Sequence, residues 1–371
     1  MKGIGIILAG GGNNKRLGKL TETRATSAMP VGGCYRCIDF TLSNMANSGI
    51  GKVAVITQYN SRSLHDHLSS SKWWDLGRKQ GGLFVFSPYL SADNSYWYRG
   101  TADCIYQNIT YLKRSNEPYV VIASGNSIHK MDYSKVIEYH VQKDADITIV
   151  YSPAREGDDV RQYGIMEVDG SGRVQEFEEK PLEPFSVFVS LGIYVISRTL
   201  LIKLLESINA EGRYDLAQDV FMRYRKRLRM YGYHHEGYWR SLNSVRTYFE
   251  SNMDFLNREV RDLFNRQYPF TETKPKDEPP AKYNMGASVV DSLAGSGAIL
   301  NGNVRHSVLF RKIYTGEGSS IVNSIVMDGC YIGNNCVVEN AILDKEVVLS
   351  DGKEIIGRGD EPVLITKRTV L

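Results

Sequence analysis

Residues 319–343 read SSIVNSIVMDGCYIGNNCVVENAIL. Aliphatic residues fall in close pairs, and Gly, Asn, Ser or Asp separates most of them. The same texture runs upstream through SVVDSLAGSGAILNGNVRHSVLF at 288–310. Runs this short do not make helices, and the punctuation demands a turn every few residues. Hexapeptide-like repetition of an aliphatic residue with small turn residues between is the pattern of a parallel β-helix. A β-sandwich would need longer strands with steadier alternation. Ile299, Val304, Val308, Ile321, Ile325, Ile332, Val337 and Ile342 are the recurring aliphatic positions.

Upstream the texture differs. Strand-like apolar runs (Ile4–Leu8, Lys52–Thr57, Tyr119–Ala123, Asp146–Tyr151, Leu191–Ile196) alternate with amphipathic stretches such as Ile38–Asn47, Cys104–Arg114 and Tyr133–Lys143. That alternation predicts an α/β domain built on a mostly parallel sheet. Ligands of such sheets bind at the carboxyl ends of strands, which directs attention to 9–17, 124–132 and 238–244. Between the two textures, RDLFNRQYPFTETKPKDEPPAKYN is rich in proline and charge and reads as an exposed connection. The expected division is 1–260, a linker at 261–282, and 283–371.

The 371 residues carry 45 basic and 42 acidic side chains, a net charge of +3. So small an excess calls for neither a nucleic-acid nor a membrane partner. The opening MKGIGIILAGG is too short and glycine-rich for a secretory signal, and no apolar run approaches ~20 residues. A cytoplasmic protein with reduced thiols is expected. Cys34 and Cys37 have C-x-x-C spacing, but no second Cys or His pair completes a zinc set, so buried free thiols are the simpler reading. His234 and His235 are adjacent and would point to opposite faces of a strand. The basic run at Arg223–Arg229 reads as a solvated helix face or a contact with an acidic partner. Trp73, Trp74, Tyr96, Trp97 and Tyr98 read as packing or loop anchors.

Chemistry concentrates in a few segments: ILAGGGNNKRLGKLT (7–21), GGCYRCIDFTLSNMANSGI (32–50), WYRGTADCIYQN (97–108), YVVIASGNSIHKMDY (119–133), FEEKP (177–181), SLGIYVIS (190–197) and YWRSLNS (238–244). Glycines after the first strand let backbone amides approach phosphate oxygens, with Lys15 and Arg16 beside them. Taken in order, these segments resemble the glucose-1-phosphate adenylyltransferase family over essentially the whole chain. The resemblance implies a Rossmann-like, GT-A-like nucleotidyltransferase domain followed by a left-handed β-helix, assembly into tetramers, and a place in glycogen biosynthesis. It implies binding of ATP, glucose 1-phosphate or ADP-glucose. Matching positions make Leu8, Ala9, Gly10, Gly11, Arg16, Gly100, Thr101, Ala102 and Asp103 nucleotide-binding candidates, and Glu179, Lys180, Ser190 and Asp215 sugar-phosphate candidates.

The same resemblance exposes departures. Where active members carry the two aspartates that hold magnesium, this chain has Asn126 and Ser241. Magnesium relies on anionic oxygens. The family's R-A-K-P-A is RATSA, placing Thr26 and Ser27 for lysine and proline, and Cys34 replaces the lysine of GGKYR. The expectation is a regulatory, catalytically impaired subunit with no metal of its own, paired in a heterotetramer with a catalytic homologue that uses Mg2+. The alternatives are an active enzyme holding the metal on a displaced carboxylate such as Asp103 or Asp132, and a stand-alone sugar-phosphate or nucleotide sensor.

Overall fold

The structure is a computed structural model that describes residues 2–10, 16–77, 81–89, 96–359 and 361–371. Apolar residues of Gly3–Leu8, Lys52–Ile56 and Tyr119–Ser124 are buried on both faces, as expected of central parallel strands. The first of these pairs parallel with each of the other two, and Lys52–Ile56 pairs parallel with Gly82–Phe86. Phe188–Ser197 then runs antiparallel to Tyr119–Ser124, Ile147–Pro153 and Gly164–Val168. The expected parallel sheet is therefore one block of a mixed nine-stranded sheet.

Helices cover both faces. Cys37–Asn47 starts where the Asp39 carboxylate accepts the Arg36 amide (2.8 Å), and Tyr133–Gln142 starts where Asp132 accepts the Ser134 amide (2.9 Å). The single helix expected over Cys104–Arg114 is two, Thr101–Tyr106 and Ile109–Lys113. At the break, Asn108 Nδ2 donates to the Cys104 carbonyl (2.8 Å) and to Tyr98 Oη (2.9 Å), drawing the chain off the helical path.

The C-terminal part forms three five-stranded parallel sheets, entered in rotation from Lys282–Tyr283, Ser288–Val290 and Leu293–Ala294 onward. This is a parallel β-helix, consistent with the left-handed coil implied by the resemblance. One corner is turned in successive coils by Asp291, His306, Asn323 and Asn340, all at positive φ. Val304, Val308, Ile321, Ile325, Ile332 and Ile342 point inward, whereas Ile299 is 40% exposed and Val337 half-buried. Their neighbours Leu300 and Val338 take the inward positions, a one-residue change of phase that reverses the face.

The two parts share a core in which Tyr35, Phe40, Tyr248, Phe255 and Phe264 meet Val308, Phe310, Ile325 and Met327. The connecting stretch is less free than its composition suggests. Arg258–Asn265 is helical, Thr271 is buried, the Glu272 carbonyl accepts from Trp74 Nε1 (3.0 Å), and Thr273 Oγ1 donates to Asp39 (2.5 Å). Among the described residues no helix is long and apolar enough to cross a membrane.

Candidate functional site

Three strand ends meet at one edge of the sheet. The Ala9 amide donates to the Ile56 carbonyl (2.9 Å) and the Gly125 amide to the Leu8 carbonyl (3.0 Å), so the loops leave together. Beside them, Phe188–Ser197 bulges between Ser190 and Tyr194, with Gly192 at φ +69°. A bulge of this kind re-aims side chains next to a site. A Cβ on Gly125 would lie 3.0 Å from Ser27 Oγ and 3.2 Å from Ile7, so only glycine fits that turn without a shift.

Asn126 and Ser241 are brought side by side. Ser127–His129 and Trp239–Ser241 form an antiparallel ribbon with Ser241 opposite Ser127, and the Leu242 amide donates to the Asn126 carbonyl (3.0 Å). Asn126 Oδ1 accepts the Ser27 hydroxyl at 2.7 Å. On the other side, Tyr163 Oη accepts from Asn243 Nδ2 (2.8 Å). Burial pushes the Tyr163 phenol well up, so it stays protonated. Beneath the ribbon His129, fully buried, sits between Ser127 Oγ (3.2 Å) and Tyr133 Oη (2.8 Å). Burial lowers its pKa to about 3, which keeps the imidazole neutral.

These residues do not fit a magnesium ion. The two matching positions offer a neutral amide oxygen already engaged by Ser27 and a neutral hydroxyl. Among the described residues no group of three or more His, Cys, Asp or Glu could hold a metal. The displaced carboxylates do not substitute. Asp103 is buried and accepts from the Arg99 amide (2.8 Å), Arg99 Nη2 (3.1 Å) and Gln107 Nε2 (2.9 Å). Asp132 caps its helix and lines a different groove, with Asn44, Trp73 and Pro269.

The nucleotide candidates divide. Leu8, Gly10, Gly100 and Thr101 line one cavity of 280 Å³ with Ile56, Gln58 and Tyr98. A Cβ on Gly100 would strike the Tyr214 carbonyl, which accepts the amides of Ala102 (2.8 Å) and Asp103 (3.1 Å). Ala9, Ala102 and Asp103 are buried and do not line that cavity. Arg16 lies elsewhere: Nη1 meets Asp159 Oδ2 at 3.2 Å, in a groove with Gly157 and Tyr163. Arg161, first, and Arg16 hold the Asp159 carboxyl down at about 2. Gly11 lies outside the described residues.

The sugar-phosphate candidates converge. Thr101 Oγ1 donates to Asp215 Oδ2 (3.1 Å) and accepts the Leu216 amide (2.8 Å). Lys180 Nζ stands 3.4 Å from Glu179 Oε1, and burial raises the Glu179 carboxyl despite that lysine. Ser190 Oγ donates to Tyr194 Oη at 3.4 Å, and the Tyr194 ring is within the field of both Glu179 and Asp215. Lys180 itself is 60% exposed, a cation presented to solvent at the mouth of the cluster.

Several contributors escaped the motif reading. Gln58 pins the cavity wall, accepting the Tyr98 amide (2.9 Å) and donating to its carbonyl (3.3 Å), and Tyr59 stacks with Trp97 at 6.4 Å. Both follow directly on strand Lys52–Ile56, so the strand-end rule would have reached them. The cysteines and histidines follow their simpler readings. Cys34 and Cys37 are free thiols, Cys34 pushed up to about 12 by burial. His234 is exposed and His235 buried. The basic run differs from its expected helix face: only its first two residues are helical, the rest turn, and Arg223, Arg225 and Arg229 pair within the chain, with Glu211, Glu176, Asp144 and Asp146. A second cavity of 100 Å³ opens where the domains meet, lined by Arg36, Lys274, Lys276, Arg311 and Lys345 together with Asp328, which pairs with Lys345 at 2.5 Å.

The nucleotidyl transferase family model matches residues 4–258, and a GlmU-like, C-terminal hexapeptide model matches 279–361. A glucose-1-phosphate adenylyltransferase of Bacillus mycoides (strain KBAB4) is 41% identical over 355 residues, covering 95% of this chain and 94% of that protein. Proteins of the same name from Bacillus thuringiensis (strain Al Hakam) and Bacillus anthracis match at 41% with the same coverage. With both of its parts matched in order and these relatives 41% identical over 95% of its length, the chain belongs to the glucose-1-phosphate adenylyltransferase family.

Proposed function

We propose that this chain is the regulatory, catalytically impaired subunit of a glucose-1-phosphate adenylyltransferase. In that reaction glucose 1-phosphate attacks the α-phosphorus of ATP, forming ADP-glucose and releasing pyrophosphate. Its proposed place is a cytoplasmic heterotetramer serving glycogen biosynthesis, in which a catalytic homologue holds the Mg2+. One observation carries this reading: Asn126 and Ser241 are neighbours at the strand ends and both are neutral. Phosphoryl transfer depends almost wholly on positioning and charge stabilisation, and loss of one preorganised group commonly costs about 10²–10³ in rate. The sugar-phosphate cluster and the cationic cavity between the domains support retained binding and a regulatory role.

The experiment is an assay of ADP-glucose formation with Mg2+, first on the chain alone and then after coexpression with a catalytic homologue. Negligible turnover alone, and a changed maximal rate or metabolite response of the partner, are the expected results. Turnover of the chain alone at the rate of its catalytic homologue would sink the reading.

A further inference from the structure

We propose that this chain binds an anionic sugar nucleotide without any divalent cation, using Asn126 as a hydrogen-bond donor in the position where the family places a metal-binding carboxylate. The inference deepens the non-catalytic reading by naming how that same site takes its ligand.

The argument is one of polarity. A primary amide has an acceptor end and a donor end. The acceptor end of Asn126 is turned to Ser27, whose hydroxyl Oδ1 takes at 2.7 Å. That bond fixes which way the amide faces and leaves Nδ2, on a half-buried side chain, as the end offered to a ligand. The backbone contributes to the same orientation. The Asn126 amide donates to Ser124 Oγ (3.2 Å) and its carbonyl accepts from Leu242 (3.0 Å), so the residue is held at both ends of its peptide.

The surroundings agree in sign. Ser27, Ser241, Tyr163 and Asn243 are uncharged, and Lys180 is tied to Tyr163, its amide donating to that carbonyl at 3.0 Å. Of the nearby acids, Asp103 is enclosed by Arg99 and Gln107, Asp215 receives the Thr101 hydroxyl, and Glu179 is paired with Lys180 at 3.4 Å. A site with two carboxylates repels a diphosphate until a cation intervenes; a site with an amide and a hydroxyl in their place does not. Nδ2 then does directly, by donating to a phosphate oxygen, what an ion does between two anions.

Titration calorimetry of the full chain with ADP-glucose, once in excess EDTA and once in millimolar MgCl2, tests this. The expected result is the same Kd in both buffers to within about twofold, below the roughly tenfold step that 1.4 kcal/mol would produce. Asn126→Asp should weaken the affinity in EDTA by about tenfold or more, as an anion now faces an anion, and MgCl2 should recover part of it. Binding by the unaltered chain that weakens tenfold in EDTA, or is absent from both buffers, overturns the proposal. So does an Asn126→Asp variant that binds equally well in EDTA. Turnover with Mg2+, measured in parallel, separates the two ideas. An active chain with metal-independent binding sinks only the non-catalytic reading, and an inactive chain that needs Mg2+ to bind sinks only this one.

Discussion

Ser27 Oγ donates to Asn126 Oδ1 at 2.7 Å, joining two residues that each depart from the family pattern. A proline at 27 has no donor to offer, so an aspartate at 126 beside it would keep its oxygens free of that bond. The pair therefore behaves as one change written in two places. Ser27 is fully buried, so its hydroxyl needs a partner, and Asn126 supplies it. The neutral site is stabilised by its own contacts and is more than a carboxylate trimmed away.

From that coupling comes the first prediction. Asn126→Asp together with Ser241→Asp should raise ADP-glucose formation at least about tenfold over the unaltered chain, a fraction of what such groups commonly contribute. Adding Ser27→Pro should raise it further by releasing the carboxylate from the hydroxyl. The short helix Thr26–Ala28 tolerates proline there, since its closing bonds come from the amides of Ala28 and Met29. Pyrophosphate release with Mg2+ is the readout. An inactive triple variant that melts like the parent would remove the metal seat as the cause of impairment.

Parts of this architecture were legible because single effects dominate them. The runs ending at Leu8, Ile56 and Ser124 are continuous and apolar, so nothing competes with their reading as buried strands. Phase is harder: Ile299 and Leu300 are equally apolar, and only pairing with Tyr314–Thr315 decides which points inward. The split at Asn108 turns on one side chain reaching Cys104 and Tyr98, a tertiary contact that no propensity contains. In the site, each motif was readable alone. The ribbon that sets Ser241 beside Asn126, and the Tyr163–Asn243 bond next to it, depend on strand register between segments more than a hundred residues apart, or about eighty in the second case.

The domains should be locked by one buried ion pair. Arg24 Nη2 meets Asp344 Oδ1 at 2.6 Å, with side chains only 5% and 3% exposed. Arg24→Ala strands a buried carboxylate and should cost about 3–5 kcal/mol in urea unfolding of the full chain. Replacing both, as Arg24→Met with Asp344→Leu, should cost less than either single truncation, because no charge is left unpaired. Equal losses in all three variants would show the pair to be irrelevant.

Stability should fall on acidification before most carboxylates titrate. Burial holds His129 at about 3 and His140 at about 4, against an ordinary value of 6.5. The unfolded chain therefore binds more protons than the folded one between those limits, and unfolding gains free energy as pH drops. Stability is complete above about pH 7 and is lost downward through that window, by at most about 1.4 kcal/mol per pH unit for each histidine. Thermal melts from pH 7.5 to 5 should show the decline. A flat profile would mean that neither ring is sequestered. His129→Gln, which keeps hydrogen-bonding capacity between Ser127 and Tyr133, should reduce the slope.

Lys180 separates binding from folding. Its ammonium is 60% exposed and stands 3.4 Å from Glu179, so solvent screens most of what that charge contributes to stability. Its backbone is tied independently, the amide donating to the Tyr163 carbonyl at 3.0 Å. Lys180→Gln should therefore leave the melting temperature nearly unchanged, as surface substitutions do. A phosphate at this cluster would lose a charged donor, worth about tenfold or more in Kd. Calorimetry with glucose 1-phosphate reads the difference directly. An unaltered affinity in the variant would mean that the sugar phosphate, if bound at all, sits away from Glu179, Ser190 and Asp215.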